Sequence, residues 1–161
     1  MTPLLAARGV DCAYGARTVL AGFDLDLAPG RVVALLGANG AGKTTALRAL
    51  ARLHRPAAGE VRLRGEDLWR LPPRWAARRI AWLPQGEEAS TPLTVEEAAL
   101  LGRVPHRGWW LPYRAEDRAA VAAVLDRLGL AGLAARPLDT LSGGERPRRQ
   151  PGEPQPVEHR G

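Results

Sequence analysis

Gly37-Ala38-Asn39-Gly40-Ala41-Gly42-Lys43-Thr44-Thr45 satisfies the pattern G-x-x-x-x-G-K-[ST] without a mismatch. A phosphate chain needs backbone N–H groups at close range, and glycines permit that approach because they carry no Cβ and accept positive φ. It also needs a point charge and a hydroxyl. Lys43 would reach the outer phosphates and Thr44 would ligate Mg²⁺, while a helix starting near Lys43 would turn its positive dipole end toward the anion. The stretch therefore predicts a nucleoside triphosphate site.

Glycine is abundant here, with 18 residues in 161, so composition alone could produce a glycine-rich loop. Lysine argues against that origin. Lys and Arg together number 23, and Lys43 is the single lysine among them. The planar fork of arginine does not replace a compact ammonium in such a loop. The flanks agree: Arg31-Val32-Val33-Ala34-Leu35-Leu36 reads as a buried strand before the loop, and Thr45 to Leu53 reads as a helix after it.

By length the chain is one domain, and 45% hydrophobic residues supply material for a core. The net charge of +6 comes from arginines spread along the chain rather than clustered with aromatics, so no nucleic-acid partner is expected. Cys12 stands alone, which excludes an internal disulfide and suits a small core residue. No run of about 18 apolar residues and no basic-then-apolar leader is present, which predicts a cytoplasmic location.

From Leu4 to Leu27 the pattern is strand-like, with Phe23, Leu25 and Leu27 alternating against Gly22, Asp24 and Asp26. Tyr14 lies in the first connection, where it is placed either to stack on a purine ring or to sit half-buried on the sheet. Glu60 to Arg64 alternates like a short strand, Pro72-Pro73 opens a short helix through Arg79, and Ile80 to Leu83 reads as a second apolar strand. Gln85 follows at the carboxyl end of that strand, where α/β sheets place ligand contacts; its amide touches a metal or the attacking water, or is a solvated loop residue. Thr94-Val95-Glu96-Glu97 is a capping box opening a helix that Gly102 closes. After a loop holding Trp109 and Trp110, which either face a partner or fold back, a helix runs near Ala115 to Leu128. Val121, Val124, Leu125 and Leu128 form its stripe, and Gly129 ends it. Finally Leu141-Ser142-Gly143-Gly144-Glu145 sets a capping serine before two glycines, a second candidate anion site at a helix start.

Together these residues resemble the nucleotide-binding subunit of an ATP-binding cassette (ABC) transporter, across roughly Leu4 to Arg146. The resemblance implies an α/β P-loop NTPase core with an N-terminal antiparallel β edge, and a helical subdomain over about 87–140 within a partial ATP-binding domain, 1–146. It implies that Tyr14 stacks on adenine and Gly37 to Thr45 hold the phosphates of ATP. Thr44 and Gln85 would hold Mg²⁺, Lys43 and Gln85 would serve catalysis, and Ser142, Gly143, Gly144 and Glu145 would contact the ATP of a partner subunit. The implied partners are a second nucleotide-binding subunit in a head-to-tail dimer and a membrane permease, with a substrate-binding protein acting indirectly. The implied location is peripheral, at the inner face of the cell membrane. Gly102-Arg103-Val104-Pro105-His106 and the helix after it look like the importers of iron–siderophore complexes, haem or cobalamin.

The resemblance stops at Arg146. The family continues with an apolar strand ending in Asp-Glu and a strand ending in a histidine, whereas residues 147–161 hold four prolines and one aliphatic residue, Val157. Pro147 would stop the helix announced by Ser142 after one turn, and the tail is expected to be disordered by composition. A truncated or frameshifted reading is the expectation, with ATP held but not hydrolysed because the general base and a metal-supporting carboxylate are missing. The alternative is a shortened module that binds nucleotide or a partner without hydrolysis. A third reading, a P-loop kinase or GTPase, does not account for Leu141 to Glu145.

Overall fold

The computed structural model describes residues 3–84, 93–107 and 110–141. Its organising strand is β1 (Leu5–Tyr14), which pairs antiparallel with β2 (Arg17–Leu27) on one edge and with β3 (Ala58–Leu63) on the other. The short β4 (Glu66–Asp67) pairs with β3, giving the order β2-β1-β3-β4. The β1–β2 connection is a two-residue turn, Gly15–Ala16, between the paired residues Tyr14 and Arg17. The expected alternation holds in β2, where Phe23, Leu25 and Leu27 are half-buried and Asp24 and Asp26 are exposed. The outward carboxylates also stabilise irregular pairing. β1 bulges near Gly9, whose N–H donates to Asp24 Oδ1 at 2.9 Å, and Arg8 pairs with Asp26 at 2.6 Å.

Helix α1 (Lys43–Leu50) lies on the sheet through Ala49 and Leu50, which share a core with Ala7, Val10, Cys12 and Val61. Cys12 is fully buried as expected, and burial pushes its thiol pKa up. α1 is shorter than the sequence suggests because Arg52 adopts φ +62 beyond its end. The N–H of Arg52 donates to the Ala49 carbonyl and that of Leu53 to the Arg48 carbonyl, the six-to-one closure that usually employs glycine. Arginine is held there by its side chain, which donates to Leu71 O at 2.7 Å and lies over the Trp69 ring. The short helix after Pro72 is α2 (Pro73–Ala77).

Two expected strands do not form. Residues 31–38 and 80–84 carry no regular secondary structure. Val32 is 98% exposed, Leu36 91% and Leu83 92%, so the buried-strand reading of Arg31–Leu36 and the strand reading of Ile80–Leu83 are corrected. The reason is pairing. A strand is stabilised by neighbours, β1 is already paired on both edges, and among the described residues no strand runs beside either segment.

The described residues fall into two compact units, one of 3–84 with 105–107 and the other of 93–104 with 110–141. In the second, α3 (Val95–Leu101) and α4 (Ala115–Arg127) bury Val95, Leu100, Val121 and Leu125 against one another. The stripe on α4 is narrower than the sequence suggests: Val124 is 40% and Leu128 62% exposed. Gly129 ends the helix at φ +69 as expected. The capping box of α3 is formed in both directions, Glu97 N–H donating to Thr94 Oγ1 and Thr94 N–H donating to the Glu97 carboxylate at 2.8 Å.

The Thr94 backbone N–H, followed by the Thr94 hydroxyl, holds the Glu97 carboxyl below its ordinary pKa. A depressed carboxylate stabilises the fold above its unfolded pKa, and that contribution is lost as pH falls through the folded pKa. Helix content followed by circular dichroism should therefore fall as the pH drops below the ordinary glutamate range, and Glu97→Gln should remove part of that dependence. A second polar device is buried. Asp117 is 3% exposed, accepts from Arg103 Nε at 2.9 Å and accepts the Arg114 N–H at the start of α4. Asp117→Ala would leave Arg103 without this carboxylate and the helix start without its cap, so chemical denaturation should show a loss of about 2–3 kcal/mol. Among the described residues no helix is long and apolar enough to cross a membrane.

Candidate functional site

The loop of residues 37–42 carries three glycines at positive φ: Gly37 at 155°, Gly40 at 82° and Gly42 at 82°. Gly42 is the residue before α1, and a Cβ there would lie 2.8 Å from the Val19 carbonyl oxygen of β2. The missing side chain thus lets the start of α1 sit directly on the sheet. By helical geometry the amides of Lys43, Thr44 and Thr45 have no intrahelical acceptor and form the positive end of α1. Thr45 is buried, whereas Thr44 is exposed.

Lys43 braces this loop. Its Nζ donates to Gly37 O at 2.8 Å and Ala38 O at 2.6 Å, which fixes the ammonium against the first two residues of the loop. The donor set, a compact cation, a free-standing hydroxyl and amides around glycines of positive φ, fits a phosphate chain with its counter-cation. Asn39 and Ala41 complete the loop, both exposed, with the Ala41 N–H donating to Ala38 O.

Tyr14 stands at the end of β1 with 47% of its surface exposed. Its ring is tilted 44° to that of His54, with centroids 4.7 Å apart. Hydrogen bonding to Arg48, then to Thr45, lowers its phenol pKa. Both of those residues belong to α1, so Tyr14 is tied to the helix that begins at the loop. His54 and Arg48 were not singled out by sequence; the contact joins elements far apart in the chain, and no local pattern marks it. Gln85 and Ser142, Gly143, Gly144 and Glu145 lie outside the described residues, as does Trp109. Trp110 is 91% exposed, so it does not fold back onto its own unit.

A family described as "ABC transporter" matches residues 20–150. The chain is 39% identical over 144 residues to the achromobactin transport ATP-binding protein of Dickeya dadantii, covering 89% of this chain and 54% of that protein. It is 46% identical over 148 residues to the hemin import ATP-binding protein of Streptomyces coelicolor, covering 90% of this chain and 51% of the relative. It thus spans about half the length of the curated relatives it matches. Among solved structures, a putative metal-chelate type ABC transporter in an inward-facing conformation superposes with a TM-score of 0.67 at 26% identity, over 88% of this chain and 51% of that one. A nucleotide-free ATP-binding cassette, 23% identical, shares the fold with a TM-score of 0.71, over 88% of this chain and 60% of the other. The antiparallel sheet, the glycine loop opening α1 and these matches carry one conclusion: the chain belongs to the ABC transporter family.

Proposed function

We propose that this chain is the nucleotide-holding part of an ATP-binding subunit of an importer for chelated iron, of the siderophore, haem or cobalamin type, and that it holds ATP with Mg²⁺ without hydrolysing it. The observation that carries the reading is Lys43, fixed over Gly37 and Ala38 at the start of α1, in a chain whose relatives are named as achromobactin transport and hemin import proteins. When bound, Mg²⁺–ATP supplies the phosphoanhydride whose cleavage drives a transporter.

The residues themselves bind and orient. Gly37 to Gly42 wrap the outer phosphates with their amides, Lys43 exchanges a carbonyl for a phosphate oxygen, and Thr44 offers its hydroxyl to the cation. Tyr14 takes the base, held in place from α1. Gln85 is assigned to the cation or the water, and Ser142 to Glu145 are assigned to the nucleotide of a second subunit, so that ATP joins two copies head to tail. The unit of 93–104 and 110–141 is assigned to the membrane permease, with the exposed Trp110 as an anchor. The chain itself sits peripherally at the inner face of the membrane, and the substrate-binding protein is met only indirectly, through that permease.

Calorimetry of the purified 161-residue chain with Mg²⁺–ATP, alongside phosphate release, tests the reading. Saturable binding at one site without turnover is expected. Mg²⁺-dependent phosphate release that disappears in Lys43→Ala would refute the non-hydrolytic part, and absence of binding in a folded sample would refute the whole.

A further inference from the structure

Tyr14 is gripped at two places. Its hydroxyl is tied to Arg48 and Thr45 of α1, and one side of its ring meets the imidazole of His54, with centroids 4.7 Å apart at a tilt of 44°. Nearly half of the side chain, 47%, stays in water, so ring surface remains for a ligand. An uncommon backbone turn carries His54 there. Arg52 takes φ +62, a conformation that residues other than glycine seldom adopt, and the chain reverses at the end of α1. The amides of Leu53 and His54 then both donate to the Arg48 carbonyl, at 2.7 and 3.2 Å. Arg48 thus holds both partners of the ring contact: its side chain binds the Tyr14 hydroxyl, and its carbonyl anchors the backbone of His54. Backbone strain of this kind persists where the surroundings over-determine it, and it gathers at ligand sites.

What His54 contributes is its face. Its Nε2 is buried without a hydrogen-bond partner among the described residues, and a buried polar atom left unpaired is destabilising. An aliphatic side chain would fill the same space without that cost. The contact that the imidazole does make is the flat one against Tyr14.

We propose that His54 is a positioning residue for nucleotide binding: it fixes the ring plane of Tyr14 before a purine arrives, so that α1 sets the phosphate loop at its first turn and the base platform at its last. The inference rests on the reading of Tyr14 and residues 37–45 as a nucleotide site. An exposed tyrosine beside a hairpin turn otherwise samples several rotamers and loses that freedom when a base stacks on it, whereas a ring already held loses little. His54 has no part in holding the phosphates, so its contribution is confined to the base.

Calorimetry of the 161-residue chain with two probes, Mg²⁺–ATP and Mg²⁺–tripolyphosphate, separates base from phosphate. His54→Leu, which keeps bulk but not a flat ring, should weaken ATP binding about three- to tenfold and leave tripolyphosphate binding unchanged. His54→Gln, polar and without a ring, should reproduce that result, so the outcome does not hang on one variant folding. His54→Phe, which restores the ring and removes the unpaired nitrogen, should bind ATP like the parent. In a Tyr14→Ala background His54→Leu should cost nothing further, since the two residues act as a pair. Equal loss of both probes, unchanged ATP affinity in His54→Leu, a loss that His54→Phe shares, or a loss that persists without Tyr14 would each overturn the proposal. A folded parent that binds neither probe would refute the nucleotide site itself and this inference with it; a parent that binds both leaves the site standing whichever way His54 behaves.

Discussion

Lys43→Ala is expected to weaken Mg²⁺–ATP binding by roughly 30- to 100-fold, the equivalent of one strong charge-assisted hydrogen bond of about 2–3 kcal/mol. The ammonium is the single compact cation on the loop, and it already sits 2.6–2.8 Å from two loop carbonyls. Its removal therefore costs the phosphate its partner and leaves the Gly37 and Ala38 carbonyls facing an anion. Lys43→Arg should recover only part of the affinity, because a planar fork cannot occupy the position between those two oxygens and a phosphate. Titration calorimetry at one fixed salt concentration measures both variants. Equal affinities for parent and Lys43→Ala would mean that the nucleotide is held elsewhere.

Gly59→Ala should remove a large part of the stability of the sheet, roughly 4 kcal/mol. Gly59, the second residue of β3, has φ +76, and a Cβ there would collide with the carbonyl oxygens of Arg8 and Gly9 on the bulged part of β1. Both obstacles are backbone, so relief requires β1 and β3 to separate. Left-handed strain and the clash each cost about 1–3 kcal/mol, and their sum of roughly 4 kcal/mol approaches the whole stability of a small domain. Gly65→Ala is the control, since Gly65 has a similar φ of +85 with nothing within 4 Å of an added Cβ. Urea unfolding of the pair separates the clash from the strain; equal losses in both would show that the β1–β3 approach is not tight.

What the sequence discloses well is short-range. The glycine loop, the Thr94–Glu97 box and the end of α4 at Gly129 are each specified by residues within a few positions of one another, and each forms as read. Arg31–Leu36 and Ile80–Leu83 fail as strands for the opposite reason. Their apolar rhythm is genuine, but a strand exists only through its neighbours, and a neighbour leaves no mark in the segment itself. Long-range polar pairing is equally silent: nothing near Arg103 names Asp117, and nothing near Tyr14 names His54. The end of α1 is not legible locally because an arginine holds a backbone conformation usually given to glycine, and the carbonyl that secures it lies in the connection before α2.

The two-residue turn between β1 and β2 has a kinetic meaning. A hairpin closed over so short a loop forms in microseconds, whereas β3 must first bring the whole intervening chain with α1 back to β1. The order of assembly is then hairpin first, β3 second. Milder substitutions in the turn should slow refolding, and milder substitutions where β3 meets β1 should instead hasten unfolding.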